Sequence, residues 1–316
     1  NEEKKAYNEQ YDELYAACQK KLYSGGYKIY TTIDMDKQKK LQSTVDDTLA
    51  GFTEKNDDGT YNMQGAAVTI DNNTGYVVAI VGGRDQDFNS YTLNRAFQSH
   101  RQPGSSIKPL IVYTPAFERG YDPNTIVDDH KFEGGPSNAT NTYAGKIPLR
   151  YAVAKSLNTV AWQVYEQVTP KVGLQYLKNM NFSSIVKDDY TLATSLGGFT
   201  KGVSPLEMAS AYAALENDGM FRQPNCIKSI VDADENVVYS SQMAEVSIYE
   251  KDATRTMTDV LTTVMDSGTG AALKLSNMPC AGKTGTTNDH KDGWFVGYTR
   301  YYTTSVWVGC DYPKSI

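Results

Sequence analysis

An α+β fold, with an antiparallel sheet drawn from both ends of the chain and a helical block between them, follows from three features of the sequence. Two β-rich runs, 66–70 and 76–81, flank a Gly/Asn turn. Strand-like alternation returns in three runs near 281–287, 294–299 and 303–310. Between about 105 and 220 the signals are largely helical. The expected architecture is therefore a five-stranded antiparallel sheet flanked by helices plus an all-helical lobe, with the site in the cleft between them.

Taken in order, residues 2–21 and their flank place Tyr7, Tyr11, Leu14, Tyr15, Cys18 and Leu22 mostly three or four apart, a helix with one apolar stripe that Ser24-Gly25-Gly26 ends. Tyr27 to Ile33 alternates as a strand, and Asp34 stands where it can cap a helix over Met35 to Leu49. Gly51 to Gly65 is polar and turn-rich. The hairpin then turns at Asp71-Asn72-Asn73-Thr74-Gly75 and closes on Gly82-Gly83. Arg101-Gln102-Pro103-Gly104 breaks the chain ahead of Ser105. Ile107 to Phe117 reads as helix, with Pro109 tolerable in a first turn and Pro115 expected to kink it. Residues 148–167 are helical apart from a break at Ser156-Leu157-Asn158. Ser204-Pro205-Leu206-Glu207 opens a further helix that Gly219 ends. A hairpin over Ile227 to Val231 and Val237 to Tyr239 and a helix over about 251–266 precede the last strands.

The composition is that of a folded globular chain: 40% hydrophobic, 22% charged, no low-complexity tract over 316 residues. The net charge of −6 with dispersed basic residues argues against a nucleic-acid partner. No apolar stretch reaches the length of a membrane span and no leader is visible. A chain starting at Asn1 without methionine reads as an excised piece of something longer. Cys18, Cys226, Cys280 and Cys310 lie far apart with no C-x-x-C pair, so neither a metal site nor a redox motif is expected. Isolated thiols are the expectation, although three pairings are conceivable.

Three short segments could carry chemistry. In Ser105-Ser106-Ile107-Lys108, residues three apart share a helix face, so Lys108 can reach back to the Ser105 hydroxyl while Ser106 points elsewhere. A serine hydroxyl becomes a useful nucleophile when a base takes its proton, and a lysine can do so once burial or a neighbouring cation lowers its pKa. Alone, S-x-x-K is commonplace, and a capping serine beside a solvated lysine is the ordinary interpretation. Ser156-Leu157-Asn158 places a hydroxyl and an amide in a helix break, where capping would suffice to explain them. Gly282-Lys283-Thr284-Gly285-Thr286-Thr287 sets a lysine between glycines that let another chain approach the backbone, otherwise an exposed edge strand.

In this order and spacing the three segments are S-x-x-K, S-x-N and K-T-G, a set that resembles the one in penicillin-binding proteins and class A β-lactamases. The surrounding words sharpen the likeness: Arg101-Gln102-Pro103-Gly104-Ser105-Ser106-Ile107-Lys108-Pro109, Gly82-Gly83, Gly202-Val203-Ser204-Pro205-Leu206-Glu207-Met208-Ala209 and Asp292-Gly293-Trp294-Phe295-Val296-Gly297-Tyr298. From about Tyr27 to Asp311 the chain resembles the transpeptidase domain of class A, bifunctional penicillin-binding proteins. The resemblance implies that Ser105 is acylated by a D-Ala-D-Ala stem peptide of peptidoglycan and passes the acyl group to an amine of a neighbouring stem, and that β-lactam antibiotics acylate it too. It implies Lys108 as proton acceptor, Ser156 as relay to the leaving amine, and Asn158 as a holder of the substrate backbone. Lys283 becomes the cation that depresses Lys108 and steers the terminal carboxylate, with Thr284, Gly285 and Thr286 on the substrate-binding strand. The N–H groups of Ser105 and Thr286 form the oxyanion hole. No cofactor is implied. Such proteins also have a glycosyltransferase domain and a membrane anchor outside the cytoplasm, neither of them in this chain, so residues 1–26 read as an inter-domain linker remnant and 27–316 as the transpeptidase domain.

The rivals are weaker. A Ser-His-Asp hydrolase would need His100, His130 or His290, and no G-x-S-x-G surrounds a serine. Leu157, where the β-lactamase motif has aspartate, disfavours a serine β-lactamase, and Glu166 is expected on the solvent side. A β-lactam sensor, a binding module that stays acylated, shares all three motifs and is the alternative from another class.

Overall fold

The structure, a computed structural model, describes residues 2–86 and 91–316 and divides into two compact units. The first comprises Asn1–Ile33 with Asn225–Gln242, the second Asp34–Pro224 with Met243–Ile316. In chain order the helices are α1 (Glu2–Ser24), α2 (Met35–Leu49), α3 (Thr114–Phe117), α4 (Leu149–Ala154), α5 (Asn158–Val168), α6 (Pro170–Asn179), α7 (Pro205–Glu216) and α8 (Lys251–Ser267). The strands are β1 (Lys28–Thr31), β2 (Met63–Asp71), β3 (Val77–Val81), β4 (Ile126–Asp129), β5 (Gly145–Pro148), β6 (Met220–Arg222), β7 (Ile227–Val231), β8 (Val237–Ser240), β9 (Glu245–Ser247), β10 (Ala281–Thr286), β11 (Asp292–Tyr298) and β12 (Tyr302–Cys310).

In the first unit, β1, β7 and β8 form an antiparallel sheet in that order, and α1 buries none of its residues. In the second, five antiparallel strands run β10-β11-β12-β2-β3, joining the two ends of the sequence as expected. Asp34 caps α2 by accepting from the N–H groups of Asp36 and Lys37. α2 lays Val45 and Leu49 on Met63, Ala67, Val81 and Cys310, covering one face of the sheet.

Register shows how the opposite face leads to the site. Val68, Ser305, Val296 and Lys283 are successive cross-strand neighbours, and all four are fully buried. Tyr298, on the same face, meets Thr258 of α8 through its hydroxyl at 2.9 Å and Tyr212 of α7 edge-on. An otherwise close-packed row thus ends, at edge strand β10, in a lysine.

The block from Gly104 to Glu216 is mostly helical. It opens with a 3₁₀ turn (Gly104–Ile107), passes through a π-helical turn (Pro109–Tyr113) and continues into α3. The Thr114 N–H reaches back five residues to Pro109 O, so Pro115 enters where the ladder has already widened. The short ladder β4-β5 is a strand pair inside this lobe that the helical expectation did not include. The break at 155–157 and the capping box of Ser204 with Glu207 at the start of α7 fall where the sequence puts them. The four cysteines are free thiols, with Cys310 buried.

Candidate active site

A groove of about 670 Å³ runs between β10 and the helical lobe. Ser105, Ser156, Asn158, Thr284 and Thr286 all line it, together with Ser137–Thr140, Gly197, Gly198, Thr269 and the exposed rim residue His290.

Ser105 sits half-buried in the 3₁₀ turn that opens the long helical run. Its neighbour Ser106 is fully buried and donates to Pro103 O at 2.7 Å, while its carbonyl accepts from the Tyr212 hydroxyl at 2.6 Å. The second hydroxyl is therefore committed to holding the turn, and only Ser105 faces the groove.

Lys108 is completely buried one turn on. Its Nζ donates to Ser156 O at 2.9 Å and to Asn158 Oδ1 at 2.8 Å, with Leu157 O at 3.4 Å. Among the described residues no hydrogen bond joins it to Ser105 Oγ. Its acceptors come instead from the helix break some 50 residues further on. A neutral amine has two N–H groups and one lone pair, so the two short bonds can use both hydrogens and leave the lone pair for a third partner. Burial, and then the like charge of Lys283, push the Lys108 pKa well below that of an ordinary lysine.

Lys283, also fully buried, donates to Ser156 Oγ at 2.9 Å and to Thr284 O at 3.1 Å. Burial lowers its pKa to about 7. Ser156 lies in the left-handed region, φ 58°, between α4 and α5. That strained conformation lets one residue offer its carbonyl to Lys108 and its hydroxyl to Lys283.

Asn158 is oriented from both ends, because its Nδ2 donates to Ser137 O at 2.9 Å while Oδ1 accepts from Lys108. Beneath it lies a buried network that sequence reasoning did not find. Asn138 Oδ1 accepts from the N–H groups of Asn158 (2.8 Å) and Thr159 (3.3 Å), capping α5, and its Nδ2 donates to Asp129 Oδ1 at 2.7 Å. Asp129 also accepts from the Thr159 hydroxyl and the Ala144 N–H. The available signal was the turn word Gly134-Gly135-Pro136 just before Asn138. Thr269 was likewise missed; its hydroxyl bonds that of Thr284 at 2.7 Å.

Strand parity settles where the β10 backbone points. Thr287 N–H donates to Asp292 O, which makes 287/292 a hydrogen-bonded pair and 286/293 a non-bonded one. The Thr286 N–H therefore faces the free edge, where Gly104 packs. Gly104, at φ 53°, packs so closely there that a Cβ would lie 2.6 Å from Thr286 O. Of the histidines, His100 bonds the Ser183 hydroxyl and His130 is exposed beside Asp128. Glu166 is exposed to solvent on α5.

A buried lysine pair meeting at a serine, beside a groove-facing hydroxyl and an outward strand N–H, is an arrangement that could support nucleophilic chemistry at Ser105. The family model for the penicillin-binding protein transpeptidase domain matches residues 65–311, and the chain belongs to that family. It is 34% identical over 299 residues, 93% of this chain, to penicillin-binding protein 4 of Bacillus subtilis, and 35% identical over 305 residues, 90% of this chain, to penicillin-binding protein 1A/1B of the same organism. It spans 46% and 32% of those relatives' lengths. Its fold is similar to that of PonA1 from Mycobacterium tuberculosis, solved in complex with penicillin V, with a TM-score of 0.81 at 24% identity over 98% of this chain and 86% of that one.

Proposed function

We propose that the chain is a serine-type D-Ala-D-Ala transpeptidase of peptidoglycan and that β-lactams acylate the same serine. The observation that carries this reading is the pair of fully buried lysines joined through Ser156, beside a groove-facing Ser105. A buried lysine is costly unless it is used, and here one is poised to accept a proton while the other supplies positive charge at the groove.

In acylation, neutral Lys108 Nζ takes the Ser105 hydroxyl proton as Oγ attacks the carbonyl carbon of the penultimate D-alanine. The resulting oxyanion is held by the N–H groups of Ser105 and Thr286. The C–N bond then breaks, and the leaving amine of D-alanine takes a proton from the Ser156 hydroxyl, which is reprotonated from the lysine pair. An incoming stem-peptide amine reverses these steps on the ester and completes the cross-link. Thr284 and Thr286 hydroxyls and the Lys283 cation bind the terminal carboxylate, and Asn158 aligns the peptide. With a β-lactam the leaving nitrogen stays tethered, so the ester is blocked.

On this reading residues 27–316 are the transpeptidase domain and 1–26 a linker remnant. A glycosyltransferase domain and an anchor holding the protein on the outer side of the cell membrane belong to a longer protein. The greater length of the curated relatives supports this. Among the described residues no helix is long and apolar enough to cross a membrane.

Intact-protein mass spectrometry after incubation with penicillin tests the reading. One stable adduct on Ser105 is expected, together with D-alanine release from a D-Ala-D-Ala peptide. Rapid return to free enzyme with hydrolysed drug would mean a β-lactamase, and a stable adduct with no D-alanine release from peptide would mean a sensor.

A further inference from the structure

The two oxyanion donors sit on separate segments, Ser105 on the turn after Gly104 and Thr286 at the end of β10. What fixes their separation is a row of contacts along 101–104. Arg101 Nε donates to Asp292 Oδ1 at 2.7 Å. Gln102 O accepts from Trp294 Nε1 at 2.9 Å. Pro103 O lies against Gly285 with no room for a Cβ, and Gly104 lies against Thr286 in the same way. Four consecutive residues before the nucleophile are thus matched to β10 and β11.

Asp292 is the anchor of that row. It is 6% exposed, and its Oδ1 also accepts from Trp307 Nε1 at 2.9 Å. Its Oδ2 accepts from the Thr287 hydroxyl at 3.2 Å, one residue beyond Thr286. Arg101 is held in turn by a two-way backbone bridge to Val203 and by Asp311 O, and its guanidinium lies 5.3 Å from the Trp307 ring. Its Nη2 is buried without a hydrogen-bond partner among the described residues, and Asp292 is the only carboxylate paired with it there.

Resting on the transpeptidase reading above, we infer that Asp292 is a positioning residue for the reaction, which through Arg101 on one side and Thr287 on the other, alongside the bond from Trp294 to Gln102 O, sets the spacing of the Ser105 and Thr286 donors. A misplacement of about 1 Å in such a site costs roughly 10²-fold, as does loss of a donor, so the effect belongs to the chemical step.

The test is Asp292→Asn, with Trp294→Phe as a second variant that removes the bond to Gln102 O, along with part of the indole's packing, and keeps an aromatic ring. Penicillin titration first counts competent sites, so that rates are expressed per competent site whatever fraction folds. Saturation kinetics then separate non-covalent binding from acylation. A boronic acid, which forms a tetrahedral adduct on serine, reports on the oxyanion hole. The acylation rate per competent site is expected to fall about 10- to 100-fold in Asp292→Asn and less in Trp294→Phe, with boronate affinity falling in parallel and non-covalent penicillin binding within about 3-fold of wild type. If Asp292→Asn gives no competent sites, Trp294→Phe is judged by the same criteria. Unchanged rates per competent site, even with a lowered melting temperature, would overturn the inference and leave the row a purely structural tie. A wild-type chain not labelled on Ser105 would overturn the transpeptidase reading and the inference with it, and shows before any variant is made.

Discussion

Lys283 Nζ donates to Ser156 Oγ at 2.9 Å, while the carbonyl of the same serine accepts from Lys108 at 2.9 Å. Ser156 therefore links the two lysines, and because it lines the groove its hydroxyl offers a proton a path from Lys283. Removing that hydroxyl should lower acylation by about 10²–10⁴-fold, the usual worth of general acid-base help. Ser156→Ala and Ser156→Gly should lose activity alike. Glycine should melt higher, because φ 58° strains alanine and not glycine. Activity that tracks melting temperature across the two variants would contradict the relay.

The Ser105 and Ser106 hydroxyls differ in their commitments. Ser105→Ala should abolish labelling by a fluorescent penicillin. Ser106→Ala should keep most of it while losing about 1 kcal/mol of stability with the bond to Pro103 O. Equal loss of label in both would mean that the nucleophile is wrongly assigned.

Burial of Lys283 makes stability depend on pH with a definite sign. Its pKa is about 7 in the fold and about 10.4 unfolded, so the unfolded chain binds more protons between those values and stability rises with pH across that window. The penalty is fully present below pH 7 and is worth about 4–5 kcal/mol. Lys283→Met should be less sensitive to pH. Urea unfolding of both proteins at pH 7 and pH 10 should show the wild type gaining on the variant as pH rises; parallel behaviour would contradict a depressed lysine.

Asn138 joins the helix break to Asp129. Asn138→Ala uncaps α5 and removes a hydrogen-bond partner from an almost fully buried carboxylate, a loss of about 2–4 kcal/mol. Because the Asn158 N–H donates to the Asn138 Oδ1 that is lost, acylation per folded molecule should fall as well, by about 10-fold or more. Chemical denaturation and penicillin labelling on the same samples check both; a stability loss with an unaltered rate would restrict Asn138 to a structural role.

Much of this was legible in the sequence because it is local. Asp34 before α2, Ser204 with Glu207 before α7, and the Asn/Gly turn between β2 and β3 are short-range signals, and all three stand where they were expected. The segments bearing Ser105, Ser156 and Lys283 were recognisable together by their resemblance to a known motif set; Ser105, Ser156 and Thr284 line one groove, with Lys283 buried behind Ser156. What was not legible is non-local. The acceptors of Lys108 lie some 50 residues further along the chain, and the Asp129–Asn138 network joins residues whose partners no periodicity marks. The β4-β5 ladder escaped because each strand has only four residues, and a long loop, not a tight turn, separates them. Just before Pro115 the helix takes a π-helical turn that only the folded backbone reveals.

The central claim is that Lys108, neutral when the enzyme reacts, takes the proton of Ser105. It is tested most directly by the acylation rate of Lys108→Arg with a soluble β-lactam, set beside Lys108→Ala and Lys283→Arg from about pH 5 to 10. Arginine keeps the charge but cannot accept a proton, so Lys108→Arg should fail almost as badly as Lys108→Ala. Lys283→Arg preserves a cation and should retain a measurable fraction of activity. Substantial acylation by Lys108→Arg would contradict the account and reduce Lys108 to a positioning charge.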